Sequence, residues 1–412
     1  MDMKRNKLIC GIAALMLALC MPYAGADADT IEMPTQDEIA AFFAAHPWST
    51  SKLMTYAVEP SYSGTYTVGS LSQESQQEVL NCINCIRFAA GLPADITVNE
   101  EYAKAAQAAT LVNAANNVLS HTPARPAGMP ETIYQLGKNG AGSSNLSRGR
   151  QTLCASVVGG FMPDSDNSNI DRLGHRRWIL NPDMLYTGFG KTDLYYAMFS
   201  IDRNRRAPFS GDYIAWPPQN MPYALYNVSS RYPFSVTLCG SYDTAQRDYV
   251  KIEMRSEKTG KIYQLDSSCN DYDYYLNVDT AYYGIPNCII FNPGVMFAED
   301  DAVTVTVSGI TKNGVPAPIT YTVHFFDTEP PLRGDCTLDG KVSARDPQTA
   351  LIAYTEEFSG NGSGLTARQM KAADVNGDGQ LSASDAQYIL IYYTENVVSG
   401  NAVSWEQLLG RT

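Results

Sequence analysis

Two acidic segments near the C-terminus have the residue types and spacing of a calcium-binding loop. Residues 335–346 have the sequence DCTLDGKVSARD, and residues 374–385 have the sequence DVNGDGQLSASD. Both place oxygen-bearing side chains at positions 1, 3, 5, 9 and 12 and glycine at position 6. Ca²⁺ takes about six to eight oxygen ligands, and the chain must turn sharply at the glycine to bring them around one ion. The spacing therefore predicts two EF-hand-like loops and two bound Ca²⁺ ions.

Each predicted site uses five side chains and the backbone carbonyl at position 7. The ligands are Asp335, Thr337, Asp339, the carbonyl of Lys341, Ser343 and Asp346 in the first loop, and Asp374, Asn376, Asp378, the carbonyl of Gln380, Ser382 and Asp385 in the second. Thr337 occupies a position where an amide or carboxylate is usual. We therefore expect the first loop to bind calcium more weakly.

The helices after the two loops repeat at the same offset, since LIAYTE at 351–356 matches LIYYTE at 390–395. Residues 334–400 resemble a type I dockerin. The resemblance implies a small α-helical module, placed at 332–400 and followed by a C-terminal tail at 401–412. It also implies docking onto a cohesin domain of a cellulosome scaffold.

In the dockerin family, positions 10 and 11 of each loop help to select the cohesin. Carried over, these are Ala344 and Arg345 in the first loop and Ala383 and Ser384 in the second. The near-identical repeats suggest two docking orientations related by a pseudo-two-fold axis. Because Arg345 and Ser384 differ, we expect one orientation to be preferred.

Length and charge limit the architecture and the partners. The chain has 412 residues, more than the roughly 250–300 that a single core usually supports, so several domains are expected. Its 43 acidic and 30 basic residues give a net charge of −13. Nucleic acids and anionic membranes are polyanions, so this charge argues against both as partners.

The first 26 residues are predicted to be a secretory signal. They combine a basic start, an apolar stretch too short to cross a bilayer, and the small residues Ala24, Gly25 and Ala26. A lipoprotein signal at Cys20 is the alternative, and the bulky Leu19 before it disfavours this. No later segment has the length and apolarity of a membrane span. The product is therefore expected to be extracellular.

Segment 27–69 is interpreted as a helix followed by a connector. Thr35 and Glu38 have the spacing of a capping box, which predicts a helix starting after Thr35. The helix should stop before Pro47, because the residue before a proline is displaced from helical geometry.

Residues 70–205 are predicted to be mainly helical. Apolar residues recur at helical spacing over 79–90, and a second helix carries small residues over 105–109 that should let another element approach closely. Segment 122–149, rich in Pro, Gly and Ser, is predicted to be a loop. Residues 170–180 are predicted to form a further helix.

Residues 206–328 change to a period of two, typical of strands. Valines at 303, 305 and 307 alternate with threonines, and 319–325 alternate in the same way. Further runs lie at 235–239, 249–256, 261–266, 274–279 and 287–291. About seven short strands predict an all-β sandwich. His324 falls on the threonine-rich face and is expected to be solvated.

The segment from about 72 to 195 resembles the CAP superfamily of cysteine-rich secretory, antigen-5 and pathogenesis-related proteins. The resemblance depends mainly on LSHTP at 119–123, GAGSSNL at 140–146 and LGHRRWILNPDMLYTGFG at 173–190. It implies an α-β-α sandwich over 70–205. Many members have a central cleft with two histidines and two glutamates, where the histidines can hold a divalent metal such as Zn²⁺.

Carried over residue by residue, His121 and His175 match the two family histidines. Ser144 stands where the family has a glutamate, so that carboxylate is missing. The second glutamate has no clear counterpart. Asp164 and Asp166 lie nearby, but they also have the pattern of a helix N-cap cluster.

Three roles remain open for His121 and His175: structural hydrogen bonding, a metal or ligand cleft, and catalysis. Metal-assisted hydrolysis needs a carboxylate base beside the metal-bound water, and none is assigned. The favoured interpretation is therefore a non-catalytic module that binds plant cell-wall polysaccharide or a cell-surface ligand. The alternative is a hydrolase of peptide or polysaccharide, which dockerin carriage favours because most dockerin-bearing proteins take part in polysaccharide degradation.

Seven cysteines remain after the predicted signal, so at least one is a free thiol or forms an intermolecular bridge. Their pairing stays open. Cys82 and Cys85 form a C-x-x-C without a second pair at zinc-finger spacing. The favoured interpretation is two buried apolar residues one helical turn apart.

Overall fold

The computed structural model describes residues 33–229 and 231–410. The predicted signal at 1–26 lies outside the described residues. Within the described part of the chain, no helix is long and apolar enough to cross a membrane.

The helices of the first half are α1 (Gln36–Ala45), α2 (Gln73–Ala89), α3 (Glu100–Asn116), α4 (Glu131–Gly142), α5 (Leu153–Ser156) and α6 (Gly174–Ile179), with a π-helical turn at Val157–Phe161. The strands are β1 (Tyr56–Val58), β2 (Ser70–Leu71), β3 (Thr97–Val98), β4 (Ser144–Arg148), β5 (Tyr186–Thr192) and β6 (Tyr195–Phe199). β1, in the predicted connector, pairs antiparallel with β2, which lies just after it.

The predicted capping box of α1 is confirmed. The Thr35 side chain accepts a hydrogen bond from the Glu38 amide, and the Glu38 carboxylate accepts one from the Thr35 amide at 2.8 Å. The helix ends at Ala45, ahead of Pro47. Its buried Ile39 clusters with Ala89 of α2 and with Phe326. α1 is therefore packed into the body of the protein.

A four-stranded sheet in the order β3-β5-β6-β4 forms the middle of the first half. β3 and β5 are parallel, and the other pairs are antiparallel. Ala106 and Ala109 of α3 cluster with Ala197 on one face of the sheet. Phe189 and Tyr196 join the cluster that contains the apolar residues of α2. Helices thus cover both faces of the sheet.

The prediction that small residues of α3 allow close approach is confirmed on two sides. A Cβ added to Gly140 of α4 would lie 2.0 Å from the Ala105 carbonyl oxygen, and one added to Gly188 of β5 would lie 2.1 Å from the Ala103 nitrogen. The loop prediction for 122–149 is wrong, since α4 and β4 lie there. Its glycines resemble loop signals in sequence, but in the structure they provide helix contact.

The predicted helix at 170–180 is shorter than expected and covers only Gly174–Ile179. Leu173 has a positive φ of 48°, which interrupts the helical path before α6. Ile170 and Leu173 instead pack against Cys288 and Ile290 of a β-sheet. Burial of these two side chains overrides the helical spacing of the segment.

The second half is built from two five-stranded sheets. One has the order β11-β10-β15-β18-β8, and the other has the order β12-β13-β14-β9-β7. The strands are β7 (Tyr213–Trp216), β8 (Asn220–Pro222), β9 (Phe234–Leu238), β10 (Lys251–Ser256), β11 (Ile262–Leu265), β12 (Asn270–Asp271), β13 (Tyr274–Asp279), β14 (Cys288–Asn292), β15 (Ala302–Ser308), β16 (Thr311–Lys312), β17 (Val315–Pro316) and β18 (Ile319–Phe326), with α7 (Tyr223–Tyr226) after β8.

The predicted strand runs are confirmed, and His324 is exposed as expected. The sequence did not predict five strands, because they are short and lack a clear alternation: β7, β8, β12, β16 and β17. Trp216, Val305 and Phe325 lie in one buried cluster that also contains Ile83 and Phe189 of the first half. The hydrophobic core is therefore continuous across residue 205, where the sequence suggests a domain boundary.

The C-terminal region has its own core. Its helices are α8 (Arg345–Phe358), α9 (Ala367–Ala373), α10 (Ala383–Tyr393) and α11 (Trp405–Leu408), with a π-helical turn at Thr394–Val398. Cys336, Ala350 and Ile389 are among the residues of a separate buried cluster. The segment predicted as a tail is partly ordered, because Trp405 stacks on Tyr392 with a ring-centroid distance of 4.1 Å.

All seven cysteines of the described residues are free thiols. Cys82 and Cys85 are fully buried on α2. Burial raises the pKa of the Cys85 thiol to about 12, so it stays protonated and unsuited to bind a metal. The interpretation of this pair as apolar core residues is confirmed.

Candidate functional site: acidic loops and histidines

The two acidic loops fold in the same way. In the first, the position 1 carboxylate of Asp335 accepts hydrogen bonds from the amides of Asp339 and Gly340 at 3.1 and 2.8 Å. In the second, Asp374 accepts from the equivalent amides of Asp378 and Gly379 at the same distances. The position 1 aspartate therefore closes each turn.

The position 12 aspartates close the other side of each loop. Asp346 accepts from the amides of Thr337 and Ser343 at 2.9 and 2.7 Å. Asp385 accepts from the equivalent amides of Asn376 and Ser382 at 3.3 and 3.0 Å. Each loop thus gathers positions 1, 3, 5, 9 and 12 at one end of a helix.

Three of the loop carboxylates are buried: Asp335 is 2% exposed, and Asp346 and Asp385 are both 0% exposed. None of the Lys, Arg or His residues that the structure describes forms an ion pair with them. Buried charges are normally paired or bound to a metal. The buried acids and the oxygen-only donor set therefore fit a hard cation such as Ca²⁺.

The backbone of both loops requires positive φ at positions 4 and 6. Gly340 and Gly379 at position 6 have φ of 87° and 83°. Position 4 is Gly377 in the second loop, with φ of 70°, but Leu338 in the first, with φ of 56°. A leucine in this region is strained. The first loop therefore has a weakness that the ligand pattern did not reveal.

The four positions expected to select a cohesin lie at the starts of two helices, two at each. Ala344 is the N-cap residue of α8 and Arg345 is its first residue, while Ala383 and Ser384 begin α10. All four are exposed.

Sequence reasoning missed exposed apolar residues on the same two helices and on the π-helical turn after α10. Leu351 and Leu390 are 47% and 50% exposed, and Phe358 and Val397 are 83% and 58% exposed. Each pair is related by the offset of the repeat. The sequence contained one signal for this surface: apolar residues that do not fall at the helical positions facing the core. We call these four residues the paired apolar surface.

His175 and Asp164 form a close pair. The Nδ1 of His175 lies 2.8 Å from Asp164 Oδ1, and the His175 amide donates to Asp164 Oδ2 at 2.9 Å. Burial lowers the pKa of His175, but the carboxylates of Asp164 and Asp166 together raise it more, so the net pKa lies above the usual 6.5. Asp164 therefore orients the ring and favours its charged form.

His121 has a different environment. It is exposed, and its Nδ1 lies 2.8 Å from the carbonyl oxygen of Ala141. Ser144 is buried, and its hydroxyl has no hydrogen-bond partner among the described residues. No hydrogen bond joins the two histidines, and each has its own partner.

Grouped metal ligands are absent from the part of the chain that the structure describes. It contains no set of three or more His, Cys, Asp or Glu side chains placed to hold a metal ion. The zinc prediction for His121 and His175 is therefore not supported. The predicted calcium sites in the acidic loops are of a different kind. Their carboxylates at positions 1 and 12 accept hydrogen bonds from loop amides. Their predicted ligands also include hydroxyl, amide and carbonyl oxygens.

Comparison with known proteins identifies one part of the chain. No curated protein and no solved structure matches the chain. The family model of the dockerin type I domain matches residues 333–392, which contain both acidic loops. No family model supports the CAP resemblance. This match identifies residues 333–392 as a dockerin type I domain, and type I dockerins bind calcium and attach secreted proteins to a cohesin of a cellulosome.

Proposed function

We propose that the chain is an extracellular scaffold-attached protein whose dockerin displays a non-catalytic, CAP-like binding domain. The observation that carries the attachment is the pair of acidic loops with equivalent hydrogen bonds and three buried, unpaired carboxylates. The proposed calcium ligands are the twelve residues predicted from the sequence. Calcium would neutralise the buried acids and hold the first turns of α8 and α10 in place.

The proposed cohesin-binding surface combines the exposed residues Ala344, Arg345, Ala383 and Ser384 with the paired apolar surface. Exposed apolar side chains of this density on two neighbouring helices are typical of protein interfaces. α9, between the two repeats, faces the rest of the protein. Its Lys371 lies 3.0 Å from Asp37 of α1. The surface formed by α8 and α10 is therefore free to meet a partner.

The body of the protein, residues 33–328, is proposed to bind a ligand and not to hydrolyse one. His175 has an orienting carboxylate, but the described residues provide neither a grouped metal site nor a contact between His175 and His121. The second candidate is a hydrolase in which His175 acts as a general base. The 2.8 Å contact with Asp164 favours this candidate.

A pull-down with scaffold cohesin tests the attachment. The full secreted chain should bind in the presence of calcium and be released by a chelator. Asp346→Asn with Asp385→Asn should abolish binding, whereas Asp193→Asn, far from the loops in sequence, should not. Binding that survives chelation unchanged would disprove calcium-dependent docking. Hydrolysis of plant polysaccharide or peptide by the purified chain, lost in His175→Gln, would replace the binding role with the enzymatic one.

A further inference from the structure

A groove lies between α2 and α3, and none of its lining residues belongs to the predicted sites. Its volume is 670 Å³. The walls are the facing sides of the two helices, and the strands β2, β3 and β5 contribute apolar residues such as Leu71, Val98 and Phe189. Four glutamines line the walls: Gln73, Gln76, Gln77 and Gln107.

The lining combines polar and apolar side chains and has no net charge. Each glutamine amide can both donate and accept hydrogen bonds. Glu100 and Lys104 bring one charge of each sign and lie one turn apart on α3. Polar side chains beside apolar ones suit an uncharged ligand that has hydroxyl groups along its edges and C–H groups on its faces. A sugar ring has this character.

Gln76 is the one of these glutamines whose carbonyl is buried without a partner among the described residues. Its Nε2 donates to the Leu71 carbonyl at 3.4 Å, which assigns the unpaired atom as Oε1. A buried acceptor without a hydrogen-bond partner is unfavourable in the free protein. Because the terminal torsion of glutamine is soft, the amide can turn to meet a ligand hydroxyl.

Gln107 differs from Gln76, because both ends of its amide are occupied. Its Nε2 donates to the Lys191 carbonyl at 2.6 Å, and its Oε1 accepts from the Lys191 amide at 3.1 Å. The Gln107 side chain is therefore held in place as part of the groove wall. A peptide strand would need a long sheet edge to pair with, whereas β2 and β3 have only two residues each.

We infer that the groove between α2 and α3 binds a neutral oligosaccharide, with the Gln76 amide accepting from a sugar hydroxyl. The inference rests on the proposal that the body is a binding domain, and it gives that domain a ligand class and a site. The site is separate from the dockerin, so cohesin attachment does not depend on it.

Isothermal titration of the full chain with soluble cello-, xylo- and manno-oligosaccharides tests the inference. At least one should bind, with an affinity that hardly changes with salt. Gln76→Leu should weaken binding about tenfold. The matched control is Gln135→Leu on α4, whose amide contacts only Glu131 in the structure and is outside the groove.

Binding of no oligosaccharide, or equal binding by wild type and Gln76→Leu, would overturn the inference. A peptide digest that binds in a Gln76-dependent way would replace the sugar with a peptide. Turnover of a bound oligosaccharide would instead overturn the non-catalytic role. Circular dichroism and cohesin binding of each variant verify that the fold and the attachment are intact.

Discussion

The Arg368 guanidinium of α9 lies 2.8 Å from the carboxylate of Asp327, immediately after β18. The same side chain donates to the carbonyl oxygen of Glu329 at 2.7 Å. One arginine of the dockerin therefore holds the beginning of the short segment that joins it to the two β-sheets. The dockerin is fixed against the body by charge-assisted hydrogen bonds.

Arg368→Ala is expected to release the dockerin from the body. Proteolysis within 328–332 should become about three- to tenfold faster, because the partly buried contacts of Arg368 with Asp327 and Glu329 are lost. Small-angle X-ray scattering should show a larger radius of gyration, while cohesin affinity should stay the same. Arg255→Ala on an exposed strand is the control and should change neither. Equal proteolysis of Arg368→Ala and wild type would show that the contact does not hold the dockerin.

Leu338→Gly is expected to raise the calcium affinity of the first loop about fivefold. The change relieves roughly 1 kcal/mol of strain at a positive φ. The reciprocal change Gly377→Leu should weaken the second loop by a similar factor. Calcium titration followed by calorimetry measures both. The explanation fails if Leu338→Gly binds calcium no better than wild type.

Asp164→Asn is expected to lower the pKa of His175. The raised pKa of the wild-type ring means that the Asp164 contact stabilises the fold most fully below about pH 6.5, and that this stability is lost as the pH rises through the folded pKa. The variant should lose this pH dependence. Proton NMR titration of the His175 ring and unfolding at several pH values measure the two effects. Asp183→Asn is the control. If the pKa of His175 is the same in Asp164→Asn as in the wild type, the Asp164 charge is not the cause of the raised pKa.

Gly140→Ala is expected to destabilise the body by about 3 kcal/mol. The new methyl group would lie 2.0 Å from the Ala105 carbonyl oxygen, so α3 and α4 would have to separate. Gly142→Ala on the same helix is the matched control, because its nearest neighbour lies 3.7 Å away. Thermal unfolding measures both. A similar unfolding temperature for the two variants would show that close helix contact is not required.

The sequence was informative where one local rule determines the structure. The capping box of Thr35, the alternation around Val305 and the duplicated loops all specify short-range geometry, and the structure follows them. Asp335 and Asp374 could be assigned because the calcium pattern lies within twelve residues. Those assignments concern position, and the calcium ligation itself stays a prediction.

The sequence was misleading where distant contacts decide. Gly137 and Gly140 suggest a loop in the sequence, but in the structure they allow close contact with α3. Leu173 is not helical, because its side chain packs against the neighbouring β-sheet. The strain at Leu338 and the unpaired Oε1 of Gln76 depend on backbone angles and neighbours that no local pattern contains. The contact between Asp164 and His175 joins two turns across eleven residues, which a motif search centred on glutamate does not find.

The stacking of Trp405 on Tyr392 also has a mechanical meaning. Trp405 lies beside Gly334, where an added Cβ would be 2.6 Å from the indole ring, and the Arg333 guanidinium lies over the same ring. The first and last residues of the dockerin therefore meet at one point. We therefore expect this closure to resist peeling of the module from either end when the chain is pulled.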